Sequence, residues 1–191
     1  MSIHIHGCHE DIEAALRIQH RAPHFPVDFS ELAADIHFHR LEEGKSASIA
    51  GFEVTPKAQA HPGRSFGYRI QANGRTTIYS TDSEHKRGSA AELEEFACFF
   101  ARADLVIFDA MYSLADAISD RLDWGHSSNL VGVDLCMLAD ARRLCLFHHD
   151  PATDDEGLAR ILADTRRYAR LAGNENALEV ISAHDGLVLD L

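Results

Sequence analysis

The sequence predicts a mixed α/β protein of one domain, with sheet layers covered by helices. Three observations carry this. The first half of the chain is mostly short alternating segments, two of them joined by the turn dipeptide Asn73-Gly74. The second half alternates amphipathic helical runs with continuous apolar runs short enough to be strands. The length of 191 residues, with 46% hydrophobic and 25% charged residues, suffices for a single core.

Taken in order, "IHIH" at 3–6 reads as a short strand, and "EDIEAALRIQH" as a helix with Ile12, Ala15, Leu16 and Gln19 on one face. "APHFPVDF" holds two prolines and reads as a loop. "DIHFHRL" and "ASIAGFEVTPKAQA" alternate as strands do, and Asn73-Gly74 joins "SFGYRIQ" to "TTIYSTD" as a hairpin. "SAAELEEFACFFAR" is a helix opened by a capping box of Ser89 and Glu92, burying Leu93, Phe96, Ala97 and Phe100. "DLVIFDA" is apolar throughout and reads as a strand buried on both faces, as does "RLCLFHHD" after the helix "SSNLVGVDLCMLAD". A second capping box, Thr153 and Glu156, opens the long amphipathic helix "TDDEGLARILADTRRYARLAG". "ALEVISAHDGLVLDL" closes the chain with two short strands.

Composition excludes several classes of function. No apolar run reaches the length of a membrane span, and "MSIHIHG" has neither a basic nor an apolar signal region. The cysteines Cys8, Cys98, Cys136 and Cys145 form no C-x-x-C pair, which points to reduced thiols and a cytoplasmic location. A net charge of −12 repels phosphate backbones, so general nucleic-acid binding is not expected. A small anionic substrate drawn to a local metal centre is compatible with it. The 13 histidines direct attention to metal chemistry.

The residues equipped for chemistry stand where strands end and loops begin. His61 precedes a Pro-Gly turn, Asp82 follows "TTIYST", Asp109 ends "DLVIFD", and His148 and His149 end "RLCLFHH". His126 stands just ahead of a helix whose N-cap is Ser127 or Ser128. Singly, each has a structural reading: an aspartate after a strand caps a turn, and a lone histidine packs or faces solvent. Together they supply the imidazole nitrogens and carboxylate oxygens of a metal site.

From His61 to Asp150 the motifs "HPGRSFGYRI", "IYSTDSEH", "ADLVIFDAMY", "WGHSSN" and "LFHHDP" occur in the order and at about the distances of the metallo-β-lactamase superfamily, and the chain resembles its phosphodiesterase and tRNA 3′-processing endonuclease branch. The resemblance implies an αββα sandwich with a dinuclear metal centre, zinc first, with manganese or iron as alternatives. It makes His61, Asp82 and His148 metal ligands, with Asp82 as the bridging carboxylate. It makes His126 the residue that stabilises the transition state or protonates the leaving oxygen, oriented by Asp109. His149 is the weaker ligand candidate, because the family places the ligand first in the pair.

"SIHIHGCHED" nearly spells the H-x-H-x-D-H cluster of that family, but its spacing is His4-x-His6-x-x-His9-x-Asp11. It resembles the strand and helix that follow the cluster. On this reading residues 1–191 form one domain lacking its first strands and main metal-binding loop, and His4, His6 and His9 are structural unless recruited as replacement ligands. Where the missing N-terminal ligands are supplied, the resemblance implies hydrolysis of phosphodiester bonds in a small substrate such as a cyclic nucleotide, through a metal-bound hydroxide. The alternative is a non-catalytic half-domain with at most one weak metal site. A sheet edge left open would call for a homodimer or a separate N-terminal half to cover it.

Overall fold

The computed structural model describes residues 1–85, 90–173 and 178–191. Two sheets organise it. β1 (Ser2–Gly7) pairs in parallel with β2 (Asp35–Arg40), with helix α1 (Ile12–Gln19) on the connection. The second sheet has seven strands in sequential order: β3 (Ala47–Ile49), β4 (Phe52–Gln59), β5 (Ser65–Ala72), β6 (Arg75–Ser80), β7 (Leu105–Asp109), β8 (Arg143–Phe147) and β9 (Glu179–Ser182).

The first four strands of that sheet are antiparallel and the last four parallel. The change follows from the connections. Asn73-Gly74, both residues at positive φ, allow the two-residue hairpin between β5 and β6. Ala50 and Gly51, also at positive φ, divide the predicted run at 47–60 into β3 and β4. Beyond β6 each return passes through a helix: α2 (Ala90–Phe100), α4 (Asn129–Leu138) and α5 (Asp155–Ala172).

These three helices pack on one face. Ile78, Val106, Phe108, Leu144, Leu146 and Val180 point from the sheet into a core with Phe96, Phe100, Val131, Leu135 and Ala169. The opposite face of β6 and β8 exposes Tyr79 and Phe147, whose rings lie 6.2 Å apart. The small sheet joins the large one through a lesser cluster of Cys8, Leu41 and Phe66.

Several expectations are corrected. α5 is capped by Asp154, whose carboxylate accepts from the Gly157 N–H at 2.8 Å, not by Thr153 with Glu156. A carboxylate is the stronger cap, so the helix starts one residue later. The last segment holds only β9 among the described residues, because a turn at Gly186 breaks the run. A short helix, α3 (Leu114–Ala117), was not anticipated, although Ser113-x-x-Asp116 is a capping signature: Ser113 accepts from the Asp116 N–H. On α1 Ile12 and Leu16 are half-buried, while Ala15 and Gln19 are exposed. The expected capping box at Ser89 lies outside the described residues.

Candidate metal centre

Strands β4, β6, β7 and β8 run in one direction, so their C-terminal ends meet at one edge of the sheet. His61 follows β4, Asp82 follows β6, Asp109 ends β7 and His148 follows β8. Residues scattered over nearly ninety positions are thereby gathered where α/β sheets bind ligands.

Asp82 is the meeting point. His61 Nε2 lies 3.7 Å and His148 Nε2 3.4 Å from the same oxygen, Asp82 Oδ1. Asp82 and His148 both have positive φ, 52° and 57°. Non-glycine residues rarely take that conformation, and where they do the surrounding contacts must hold them. Here Ser65 Oγ donates to the Asp82 carbonyl at 2.5 Å and Gln59 Nε2 to the Thr81 carbonyl at 2.8 Å. The left-handed turn swings each side chain over the sheet edge. About two-fifths of the Asp82 side chain stays open to solvent, so an ion or substrate has access.

His126 stands beside this group. Its Nδ1 is 2.8 Å from Asp109 Oδ2, and its ring lies 5.3 Å from that of His61 and 5.0 Å from that of His148. Asp109 is fully buried, and its carboxylate also receives the Ser83, Met111 and Ser127 N–H groups. Four donors meet its two oxygens, the His126 ring among them, which leaves Asp109 little capacity for an ion. The Asp109 hydrogen bond raises the His126 pKa against the opposing effect of burial.

Ligand-capable atoms of His61, Asp82 and His126 lie within 4.8 Å of one another, as do those of Asp109, His126 and His148. The expected trio of His61, Asp82 and His148 meets through Asp82, and His126 belongs to both groups. The donor set suits a divalent cation. His61 Nδ1 donates to the Pro62 carbonyl at 2.7 Å, since that carbonyl can only accept. In the neutral ring this bond places the lone pair on Nε2, the nitrogen nearest Asp82, as an imidazole ligand requires. His149 turns away: its Nε2 meets Ser182 Oγ on β9 at 3.1 Å. His148 is the member of the pair that faces Asp82.

Three supporting residues escaped the sequence reading. Glu84 is buried and accepts the Asp123 and Gly125 N–H groups, tying down the loop that carries His126. Gly125 has φ of 90°, and a Cβ there would stand 2.5 Å from His61 Cδ2, so only glycine lets this loop pass His61. Tyr112 is buried, edge-on to His126 at 5.6 Å, under the Arg121 guanidinium. Glu84 was visible in "STDSEH", but nothing in the pattern distinguishes a buried clamp from a solvated acid.

His4, His6 and His9 do not join this group among the described residues. His4 and His6 stack on histidines of β2, and His9 lies edge-on to Phe66.

Known structures share the fold. The metallo-β-lactamase fold protein YhfI from Bacillus subtilis superposes with a TM-score of 0.69 at 18% identity, covering 97% of this chain and 64% of that one. A diphosphatase from the PhnP family gives 0.63 at 18%, covering 100% and 59%. Human tRNase Z, short form, gives 0.58 at 20%, covering 98% and 67%. This chain thus spans about three-fifths of the first two. No curated protein sequence matches it. No helix among the described residues is long and apolar enough to cross a membrane. The family model described as "Beta-lactamase superfamily domain" matches residues 2–149, which include His61, Asp82, Asp109, His126 and His148. With the seven-stranded sheet and the histidines and aspartates at its edge, that match makes the chain a member of the β-lactamase superfamily.

Proposed function

We propose that the chain carries a metal-dependent hydrolytic centre for phosphodiester bonds in a small anionic substrate such as a cyclic nucleotide. One observation carries the reading: two imidazoles converge on one carboxylate oxygen, beside a histidine that a buried aspartate orients. His61, Asp82 and His148 would hold a divalent cation; zinc suits their nitrogen and oxygen donors, with manganese or iron as alternatives. A bound divalent cation lowers the pKa of water and offsets charge on the attacked phosphate.

The chain's own residues supply the rest. His126 has its Nδ1 proton engaged by Asp109, and its raised pKa favours a proton on Nε2 as well. That proton is available to a leaving oxygen. A recess of about 170 Å³ adjoins His126, with Leu114, Ile118, Leu122 and Val131 in its walls, and suits the apolar part of a small substrate. The net charge of −12 opposes a long polyanion. A diphosphatase and a tRNase share the fold, and both names denote cleavage at phosphorus. The scattered cysteines support a cytoplasmic location.

A second reading is a half-domain that binds a partner chain and holds at most one metal weakly. Tyr79 and Phe147, exposed together on the open sheet face, favour it. A second copy of the chain or an N-terminal half would cover them.

Turnover of a generic phosphodiester by the zinc-loaded protein separates the readings. His126→Ala should lower it about 10²–10⁴-fold, the scale of general acid–base catalysis, with metal content unchanged. Asp109→Asn should act in the same direction but less, since it only orients the ring. Loss of metal in His126→Ala would make His126 a ligand. No turnover in the metal-loaded protein would leave the partner-binding reading.

A further inference from the structure

The recess beside His126 owes its apolar walls to one short stretch of chain. Leu114 and Ala117 of α3, with Ile118 and Leu122 just after it, line it together with Val131 of α4. Ile118 and Leu122 are exposed and Val131 is buried, so the recess leads from solvent toward the core. Its volume of about 170 Å³ is close to the roughly 150 Å³ that holds one benzene ring.

The polar side chains of the wall are engaged elsewhere. Glu84 accepts the Asp123 and Gly125 N–H groups. Ser127 Oγ donates to the Ser83 carbonyl at 2.6 Å and accepts the His85 N–H at 3.0 Å. Ser128 Oγ accepts the Val131 N–H, and His85 Nε2 meets Ser83 Oγ. All four residues are buried, and His85 Nδ1 is closed to solvent. A guest with several hydroxyls would lose its water in this recess and find few side chains to replace it, which costs free energy. His126 differs from these four. It lines the recess, and its ring also lies 5.3 Å from that of His61 and 5.0 Å from that of His148. It is the wall common to the metal-centre group and the recess, with Nε2 as the nitrogen that Asp109 does not hold.

We propose that this recess receives the departing alcohol of the substrate and limits it to a single aromatic ring or a short alkyl chain, with Ala117 and Leu122 setting the size. The inference rests on the hydrolytic reading and narrows it. A water oxygen forms the new bond to phosphorus. The bond from phosphorus to the departing oxygen breaks with its electron pair on that oxygen, which takes its proton from His126 Nε2. The proton released by the water recharges the imidazole through solvent, and the products are a phosphomonoester and a free alcohol. The group that departs is thus the one beside His126, and the walls beside His126 are apolar. Among small phosphodiesters this moves the favoured member from a cyclic nucleotide, whose departing oxygen sits on a hydroxylated ribose, to an aryl or short alkyl ester.

The test uses the zinc-loaded chain with its Ile, Leu and Val methyl groups labelled for magnetic resonance. Phenol should shift the methyls of Leu114, Ile118, Leu122 and Val131 saturably, and ribose should leave them unmoved. Ala117→Phe, which fills the recess, should weaken phenol binding about tenfold. Turnover supplies a second measurement. Methyl para-nitrophenyl phosphate releases one ring and methyl nitronaphthyl phosphate two fused rings, and each ester's own reactivity cancels when a variant is compared with the parent chain. Leu122→Ala should raise kcat/KM for the two-ring ester about tenfold relative to the one-ring ester. Circular dichroism checks the fold of the variants. Should Ala117→Phe not fold, phenol titration of the unmutated chain and the ester ratio of Leu122→Ala decide. No saturable phenol shift at these methyls, an equal response to ribose, or an unchanged ester ratio in Leu122→Ala would overturn the proposal and leave the hydrolytic reading standing. Phenol bound in the recess with no turnover of either ester would overturn the hydrolytic reading, and the departing-alcohol role with it.

Discussion

His85 shows how one side chain can set the acid limit of this fold. It is fully buried among Phe96, Phe100 and Phe108, its Nε2 meets Ser83 Oγ at 3.1 Å, and its Nδ1 has no partner among the described residues. Burial, aided by the positive charge of Lys57, pushes its pKa down to about 3. The unfolded chain takes up that proton near the ordinary value of 6.5 and the folded one does not. Stability is therefore unaffected above about pH 6.5 and falls by about 1.4 kcal/mol for each pH unit below it, until the folded pKa is reached. Urea midpoints measured from pH 7 to pH 4 should show this slope. His85→Phe, which keeps an aromatic ring in an aromatic cage, should flatten it. Equal slopes in both proteins would show that His85 is protonated in the folded state. The sequence gives little hint of this residue: His85 closes the motif "STDSEH" and looks like a site histidine. The places of His61, Asp82, Asp109 and His148 at strand ends were legible, His61 from the Pro-Gly turn after it and the others from the strand runs before them. Glu84, Tyr112 and His85 were not, because their roles depend on what a distant loop brings against them.

At the scale of elements, periodicity located the strands and long helices, and local chemistry decided their ends. The helix after β8 was expected to begin at Thr153 with Glu156 completing a box. The structure gives the cap to Asp154, while Glu156 instead reaches Arg160 at 3.7 Å on the exposed surface. Two adjacent residues, each a good cap by type, compete for one position. Sequence spacing cannot separate them, but the φ, ψ of Asp154 and the Gly157 N–H can. Asp154→Ala should cost about 1 kcal/mol of unfolding free energy, as loss of a helix cap does, and Thr153→Ala only a few tenths. Urea denaturation of both variants measures the difference, and a reversal of the two costs would restore Thr153 as the cap. The ends of β6 and β8 pose a similar problem. The apolar runs predicted strands there, yet the turns that aim Asp82 and His148 rest on left-handed residues that no propensity marks.

Across the whole molecule the candidate centre joins parts that the chain order keeps apart. β4 belongs to the antiparallel half of the sheet and β8 to the parallel half, and the histidines at their ends meet at Asp82, with the His126 ring beside both. Without an ion, two imidazoles and one partly exposed carboxylate hold that edge; such contacts between groups open to solvent contribute little, up to about 1 kcal/mol. An ion gripping all three would tie the halves together, and it would bind the folded chain in preference to the unfolded one. The stabilisation then follows mass action, about 2.7 kcal/mol at a free zinc concentration one hundred times the dissociation constant. Scanning calorimetry should therefore show the unfolding temperature rising with zinc, with one tightly held equivalent remaining after dialysis. Asp82→Asn should remove both effects, because both histidines converge on that oxygen. His149→Gln should remove neither, because its ring is committed to Ser182. A zinc-dependent rise that persists in Asp82→Asn would place the ion on other residues and end the assignment of Asp82 as the shared ligand.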